Sequence, residues 1–145
     1  MAFANAAYTV LIVDDNPALL DLIAESLKMI GNYAVVTATN GVEGLERFYE
    51  VRPQCMVIDV KMPQLDGYQL VRILRGDPET AATPLVILTA MVQDKDRFQG
   101  LASGADQYLL KPIKPRELVD AIQRAITTSA ETRSAALRRL AEEEA

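Results

Sequence analysis

The chain has 145 residues, half of them apolar and 24% charged, with a formal net charge of −5. That composition belongs to one folded globular domain of ordinary size, and its acidic balance argues against binding nucleic acid through its own surface field. No apolar run approaches the ~20 residues that span a bilayer, the opening MAFANAAYT lacks the pattern of a signal peptide, the single cysteine Cys55 excludes a disulfide framework, and the absence of histidine removes Ser-His-Asp and Cys-His catalysis and histidine metal ligation.

Two apolar periods alternate along the chain. Tyr8–Val13 is a short, β-branched apolar run that reads as a strand buried on both faces. It stops at Asp14-Asp15-Asn16-Pro17. Ala18, Leu19, Leu22, Ile23, Ser26, Leu27 and Ile30 then recur at three- and four-residue spacing and predict an amphipathic helix, with Pro17 in its first turn and Gly31 at its end. A strand over Tyr33–Ala38 follows, then a helix over Gly41–Glu50 with Val42, Leu45 and Phe48 inward. Cys55–Ile58 is a strand ending at Asp59, and Gly67–Arg75 is a helix carrying Leu70, Val71 and Leu74. Leu85–Leu88 is a strand ending at Thr89, Met91–Ser103 a less strongly patterned helix, and Gln107–Leu110 a strand ending at Lys111. Pro115 opens the last helix, with Leu118, Ile122 and Ala125 inward.

Five strands alternating with five helices through short loops predict an α/β fold, a parallel sheet covered by helices on both faces. Right-handed crossovers make it doubly wound; a closed barrel would want about eight units and ~250 residues. Residues 1–127 hold the pattern, and 128–145 read as a helical C-terminal extension or linker, because no Gly or Pro interrupts Arg116–Ala145.

In open α/β sheets ligands bind at the carboxyl ends of the strands. Here those ends carry Asp14 and Asp15, Asp59, Thr89 and Lys111. Three carboxylates drawn together raise one another's pKa or demand a cation, and oxygen ligation suits Mg²⁺ before zinc. A carboxylate beside such an ion can attack phosphorus to give an acyl phosphate, while a lysine and a hydroxyl hold the phosphoryl oxygens. Taken singly, each residue also reads as a helix cap or turn former, Thr89 as a cap for the helix at Met91 and Lys111-Pro112 as a turn. Their joint placement on one rim carries the chemical reading.

LIVDDNP, VIDVKMPQLDG, LTA and GADQYLLKP, in this order and spacing over residues 8–127, resemble the receiver domain of bacterial two-component response regulators. The resemblance implies a flavodoxin-like (βα)₅ fold with strand order 2-1-3-4-5. It implies Asp59 as phosphoacceptor, Asp15 as direct Mg²⁺ ligand, Asp14 as its water-mediated partner, and the backbone carbonyl of Lys61 as a further ligand. Thr89 resembles the switch hydroxyl, Lys111 the phosphate-contacting lysine and Tyr108 the aromatic switch, with a cis peptide at Pro112 aiming Lys111 into the site. The implied partners are a histidine kinase or phosphotransfer protein and a downstream protein target or output domain, in the cytoplasm and without membrane contact. The implied output is a changed surface on the fourth helix, fifth strand and last helix. The alternating phase of Tyr108 and Leu109 further predicts that Tyr108 faces outward while Leu109 faces the core.

The resemblance implies a phosphoacceptor switch and not an enzyme acting on other substrates. A Mg²⁺-dependent aspartyl-phosphate phosphatase would carry an acidic residue two positions after its nucleophile, where this chain has Lys61. A second alternative is the receiver portion of a longer regulator, and a third a degenerate receiver, which the filled site positions disfavour. Neither GxGxxG nor GxxxxGK[ST] is present for nucleotide binding. Lys61 and Met91, two residues after Asp59 and Thr89, are expected to slow dephosphorylation by covering the phosphorus. In the last helix Val119, Ile122, Ile126, Ser129, Arg133, Ala136 and Leu140 fall on a three-four spacing with two poor seam residues among them, which reads either as a solvated helical extension or as a signalling helix, the second predicting weak, phosphorylation-sensitive self-association.

Overall fold

The computed structural model describes residues 8–90 and 104–144. Strands β1 (Thr9–Val13), β2 (Ala34–Ala38), β3 (Cys55–Asp59), β4 (Leu85–Thr89) and β5 (Gln107–Leu110) alternate with helices α1 (Pro17–Ile30), α2 (Gly41–Val51), α3 (Gly67–Gly76) and α4 (Pro115–Glu144). The helix expected over Met91–Ser103, with the candidate residue Met91, lies outside the described residues. All strand pairs are parallel, in the order β2-β1-β3-β4-β5. The order reverses at β1, so adjacent crossovers leave on opposite faces and open a crevice above β1 and β3.

Each face of the sheet packs its own core. On one side Val10, Ile12, Val57 and Leu88 meet Leu20, Ile23 and Leu27 of α1 and Leu118, Ile122 and Ala125 of α4. On the other, Leu11, Met56, Ile58 and Ile87 meet Phe48 of α2 and Leu70, Val71 and Leu74 of α3. Successive strand residues therefore serve opposite cores. β3 and β4, sheltered on both faces and both edges, are buried along their whole length, which explains their unbroken apolar runs.

Local signals start the helices as polar caps should. The Asn16 side chain accepts from Leu19 N–H, with Pro17 opening α1, and Asn40 accepts from Glu43 N–H at the start of α2. Asp66 and Gln69 form a capping box on α3.

Two inward faces differ from expectation. α1 buries Leu20, Ile23, Ala24 and Leu27, whereas Leu22 is 65% exposed and Ala18 and Ile30 also face solvent. Apolar residues extend around much of this helix, so periodicity alone does not choose the packed stripe. In α2, Val42 is exposed, and the glycines are buried instead, Gly41 against Leu65 of the loop before α3 and Gly44 against the sheet. Gly44 lies where a Cβ would come within 3.0 Å of Val13. Tyr108 also departs from expectation: it is partly buried against the α2–α3 core, while Leu109 packs toward α1 and α4. Its phase relative to Leu109 is as read, but on its own side of the sheet it packs against the α2–α3 core.

α4 runs as one helix of 30 residues, about 45 Å at 1.5 Å per residue, and the boundary expected after Thr127 falls inside it. Among the described residues no helix is long and apolar enough to cross a membrane.

Candidate functional site

Strand alternation aims the site. Asp14, Asp59 and Lys111 each follow by two residues a side chain of the α1–α4 core, Ile12, Val57 and Leu109. All three therefore leave the sheet on the same side. The main chain at the rim is held by continuing ladder bonds: Asp14 N–H donates to Ala38 O at 3.1 Å, and Lys111 N–H to Thr89 O at 2.7 Å. The Lys111–Pro112 peptide is cis.

Asp14, Asp15 and Asp59 bring carboxylate oxygens within 4.8 Å of one another, with Asp14 and Asp59 buried and Asp15 exposed. Lys111 Nζ lies 2.8 Å from Asp59 Oδ1 and 3.5 Å from Asp14 Oδ2. Thr89 is buried at the end of β4, with Leu110, the residue before Lys111, as its partner on β5. Capping does not explain the acidic residues. Asn16 caps α1 and Asp66 caps α3, leaving the three rim carboxylates outside both roles, although Asp14 Oδ1 also accepts Asn16 N–H at 2.9 Å.

Burial pushes the Asp59 carboxyl above its ordinary range; the Lys111 hydrogen bond opposes that rise, and the charges of Asp14 and Asp15 reinforce it. Burial pulls the Lys111 ammonium down, but its hydrogen bond to Asp59 and the attraction of Asp59 and Asp14 outweigh burial, so its net shift is upward. Three carboxylates thus gather where one ammonium pairs with two of them. An all-oxygen set with excess negative charge can hold a metal ion, and its chemistry fits a hard divalent cation. Cys55 is buried, and burial drives its thiol far above the ordinary range, so it offers no competing nucleophile.

The structure brings together Asp14, Asp15, Asp59 and Lys111, and Thr89 ends the neighbouring strand β4, paired with Leu110. Lys61 is exposed on the loop after β3, Pro112 is exposed after β5, and Tyr108 lies toward the α2–α3 core. The sequence reading did not single out Arg75. Its guanidinium donates to Gly104 O (2.8 Å), Ala81 O (3.0 Å) and Thr83 O (2.6 Å), and pairs with Asp106 at 2.8 Å, far from the rim at the opposite end of the strands. A signal existed: Arg75 follows Val71 by four residues, in phase with the buried face of α3.

Residues 10–123 match the response regulator receiver domain family. Among curated proteins, the chain is 39% identical over 110 residues to the DNA-binding dual master transcriptional regulator RpaA of Synechocystis, covering 76% of this chain and 45% of that protein. It is 42% identical over 109 residues to the probable transcriptional regulator ycf27 of Guillardia theta, covering 75% and 41%. The chain thus spans less than half the length of these relatives. Among solved structures, the chemotaxis protein CheY4 of Vibrio cholerae superposes with a TM-score of 0.77 at 31% identity, over 83% of this chain and 99% of CheY4. A Francisella response regulator receiver domain gives 0.76 at 31% identity, over 84% and 98%.

Proposed function

Because the chain belongs to the response regulator receiver domain family, we propose that it is a cytoplasmic phosphorylation switch whose phosphoacceptor is Asp59. The observation that carries this reading is one carboxylate held 2.8 Å from Lys111 Nζ while its oxygens lie within 4.8 Å of two further carboxylates. An Asp59 oxygen attacks the phosphorus of a phosphohistidine on a partner kinase or phosphotransfer protein. The P–N bond breaks, the new O–P bond makes an acyl phosphate, and the departing imidazole takes up a proton.

Asp14, Asp15, Asp59 and the Lys61 carbonyl would hold Mg²⁺. When bound, the ion neutralises the carboxylates and the phosphoryl oxygens. Lys111 leaves Asp59 Oδ1 for a phosphoryl oxygen, so its charge follows the group being transferred. The Thr89 hydroxyl closes on another phosphoryl oxygen, and Tyr108 takes the space it vacates. The product adds about −1.5 to −2 charge at the rim, and the readout surface is β5 and α4 with the segment 91–103 that precedes β5. Lys61, exposed two residues beyond Asp59, shields the acyl phosphate from water. Catalysis is confined to the domain's own phosphorylation and dephosphorylation.

A second reading, that these residues are the receiver of a longer regulator, is favoured by the 41–45% of each curated relative that they cover. In that case α4 leads to the output domain; otherwise the residues beyond Thr127 supply a weak self-association surface. The net charge of −5 leads us to place any DNA contact in such an output domain and not in these residues.

The test is labelling with acetyl [³²P]phosphate and Mg²⁺. The parent chain should acquire an acid-stable, base- and hydroxylamine-labile label, and Asp59→Asn should acquire none. Equal labelling of the variant would overturn the assignment.

A further inference from the structure

Among the described glycines, an added Cβ at Gly31, Gly41, Gly44 or Gly104 would first meet a side chain, and at Gly76 it would meet nothing within 4 Å. Gly67 differs. A Cβ there would lie 2.6 Å from the carbonyl oxygen of Asp59, 2.8 Å from the Cα of Val60 and 3.0 Å from the carbonyl carbon of Asp59. All three atoms are main chain, and they belong to the peptide that carries Asp59 out of β3. Gly67 N–H also donates to Val60 O at 2.9 Å, while Val60 N–H donates to Leu88 O at 3.0 Å. The first residue of α3 therefore rests on the backbone of the phosphoacceptor, and that backbone rests on β4. The same contact closes the loop over residues 60–66, which contains Lys61.

Resting on the reading of Asp59 as phosphoacceptor, we propose that Gly67 is a positioning residue for phosphoryl transfer. Its missing side chain lets α3 fix the Asp59–Val60 main chain, and with it the Asp59 carboxylate and the Lys61 carbonyl, at the spacing that metal and phosphoryl group require. No rotamer change can accommodate a Cβ at this position, because the atoms it meets are backbone. Either the end of β3 or the start of α3 must move by several tenths of an ångström to reach ordinary contact. Displacements near 1 Å at reacting groups lower rates by as much as about a hundredfold, so the loss expected here is about tenfold.

The test compares Gly67→Ala with two substitutions in or beside the same helix, all in the full chain. Gly76→Ala makes the same chemical change where an added Cβ meets nothing. Asp66→Ala removes the cap from the same helix end, where the carboxylate accepts Gln69 N–H at 2.9 Å, without pressing an atom on Asp59. Three quantities are measured for each: the urea midpoint, the Mg²⁺ dissociation constant by calorimetry, and the rate of labelling by acetyl [³²P]phosphate. Gly67→Ala should weaken Mg²⁺ binding and slow labelling by about tenfold. Gly76→Ala and Asp66→Ala should stay close to the parent in both, even where Asp66→Ala lowers the urea midpoint. Parent-like Mg²⁺ affinity and labelling in Gly67→Ala would overturn the proposal, as would equal losses in Asp66→Ala at a matched fall in stability. Should Gly67→Ala unfold in buffer, the series is measured in trimethylamine N-oxide, which favours the folded chain; failure to recover a folded variant there also counts against a positioning role. Label persisting in Asp59→Asn removes the phosphoacceptor reading and this proposal together, whereas normal labelling of Gly67→Ala removes the proposal alone.

Discussion

At the N-terminal edge of the sheet one guanidinium meets one carboxylate; at the C-terminal edge one ammonium meets two, with a third carboxylate beside them. Arg75 and Asp106 form a 2.8 Å pair, and the other donors of Arg75 reach the carbonyls of Gly104, Ala81 and Thr83. Asp106 in turn accepts Leu85 N–H at 2.8 Å and donates its own N–H to Leu85 O at the same distance. This cluster ties the end of α3, the start of β4 and the turn before β5. Charge is balanced, and arginine's planar fork suits several fixed acceptors at once. At the other edge Lys111, a point charge on a flexible stem, faces Asp59 at 2.8 Å and Asp14 at 3.5 Å, with Asp15 alongside. Negative charge there exceeds positive charge, and the cation can follow a displaced oxygen. The fold is fastened where the charges are matched, and the proposed phosphoryl transfer falls where they are not.

The largest expected effect belongs to the fastening. Arg75→Met should destabilise the chain by about 3 kcal/mol, because it leaves a largely buried carboxylate and several carbonyls without their donor. Urea unfolding measures the loss. The folded fraction should still be labelled by acetyl phosphate at the parent rate. A variant that keeps its stability but loses labelling would reverse the roles assigned to the two edges.

The second effect belongs to the unbalanced edge. Mg²⁺ at about a hundred times its dissociation constant should stabilise the parent by about 2.7 kcal/mol, since the folded chain alone assembles the three carboxylates. Asp15→Ala should weaken Mg²⁺ binding more than Asp14→Ala, whose buried carboxylate also serves Asn16 N–H and Lys111. The Mg²⁺ increment should be unchanged in Arg75→Met, as expected for distant sites without shared partners. Calorimetric titration checks the order of the two aspartates, and a reversed order would exchange their roles. A smaller increment in Arg75→Met would show that the edges are coupled.

The two edges were unequally legible in the amino-acid sequence. The strands of a parallel sheet covered on both faces are apolar runs, so the residue that ends each run stands out. Asp59, Thr89 and Lys111 are recognisable for that reason, and the fold class follows from the same alternation of runs and amphipathic stretches. Distances among the carboxylates were not legible, because they depend on the order in which strands pair across the sheet. The packed stripe of α1 was obscured by apolar residues on its exposed side, Leu22 and Met29 among them. Arg75 and Asp106 are 31 residues apart, and a charged residue at the end of a helix ordinarily reads as solvated. Only its phase with Val71 marked it as inward.

The smallest effect sharpens the comparison from within the N-terminal edge. Two residues beyond Arg75, Asp77 caps the end of α3, and its Oδ2 accepts the Tyr49 hydroxyl at 2.6 Å. This bond is exposed to solvent and joins a neutral donor to a charge, so it should fasten α2 to α3 far less firmly than Arg75 fastens α3 to β5. Its pH dependence identifies it. The bond to Tyr49, with Glu79 N–H, holds the Asp77 carboxyl below its usual range, so its contribution is present above about pH 4 and fades as pH falls through the lowered value. The bond to Asp77, with slight burial and the nearby acidic charges, holds the Tyr49 hydroxyl above its usual range, so its contribution is present below about pH 10 and fades as pH rises through the raised value. Tyr49→Phe should therefore be slightly less stable than the parent between those limits and converge with it at both extremes. Urea midpoints measured across the range would show a plateau with two falling edges. A difference that stayed constant with pH would rule out the bond with Asp77 as its source, because phenylalanine keeps the ring that lies 5.0 Å from the Arg52 guanidinium carbon and loses only the hydroxyl.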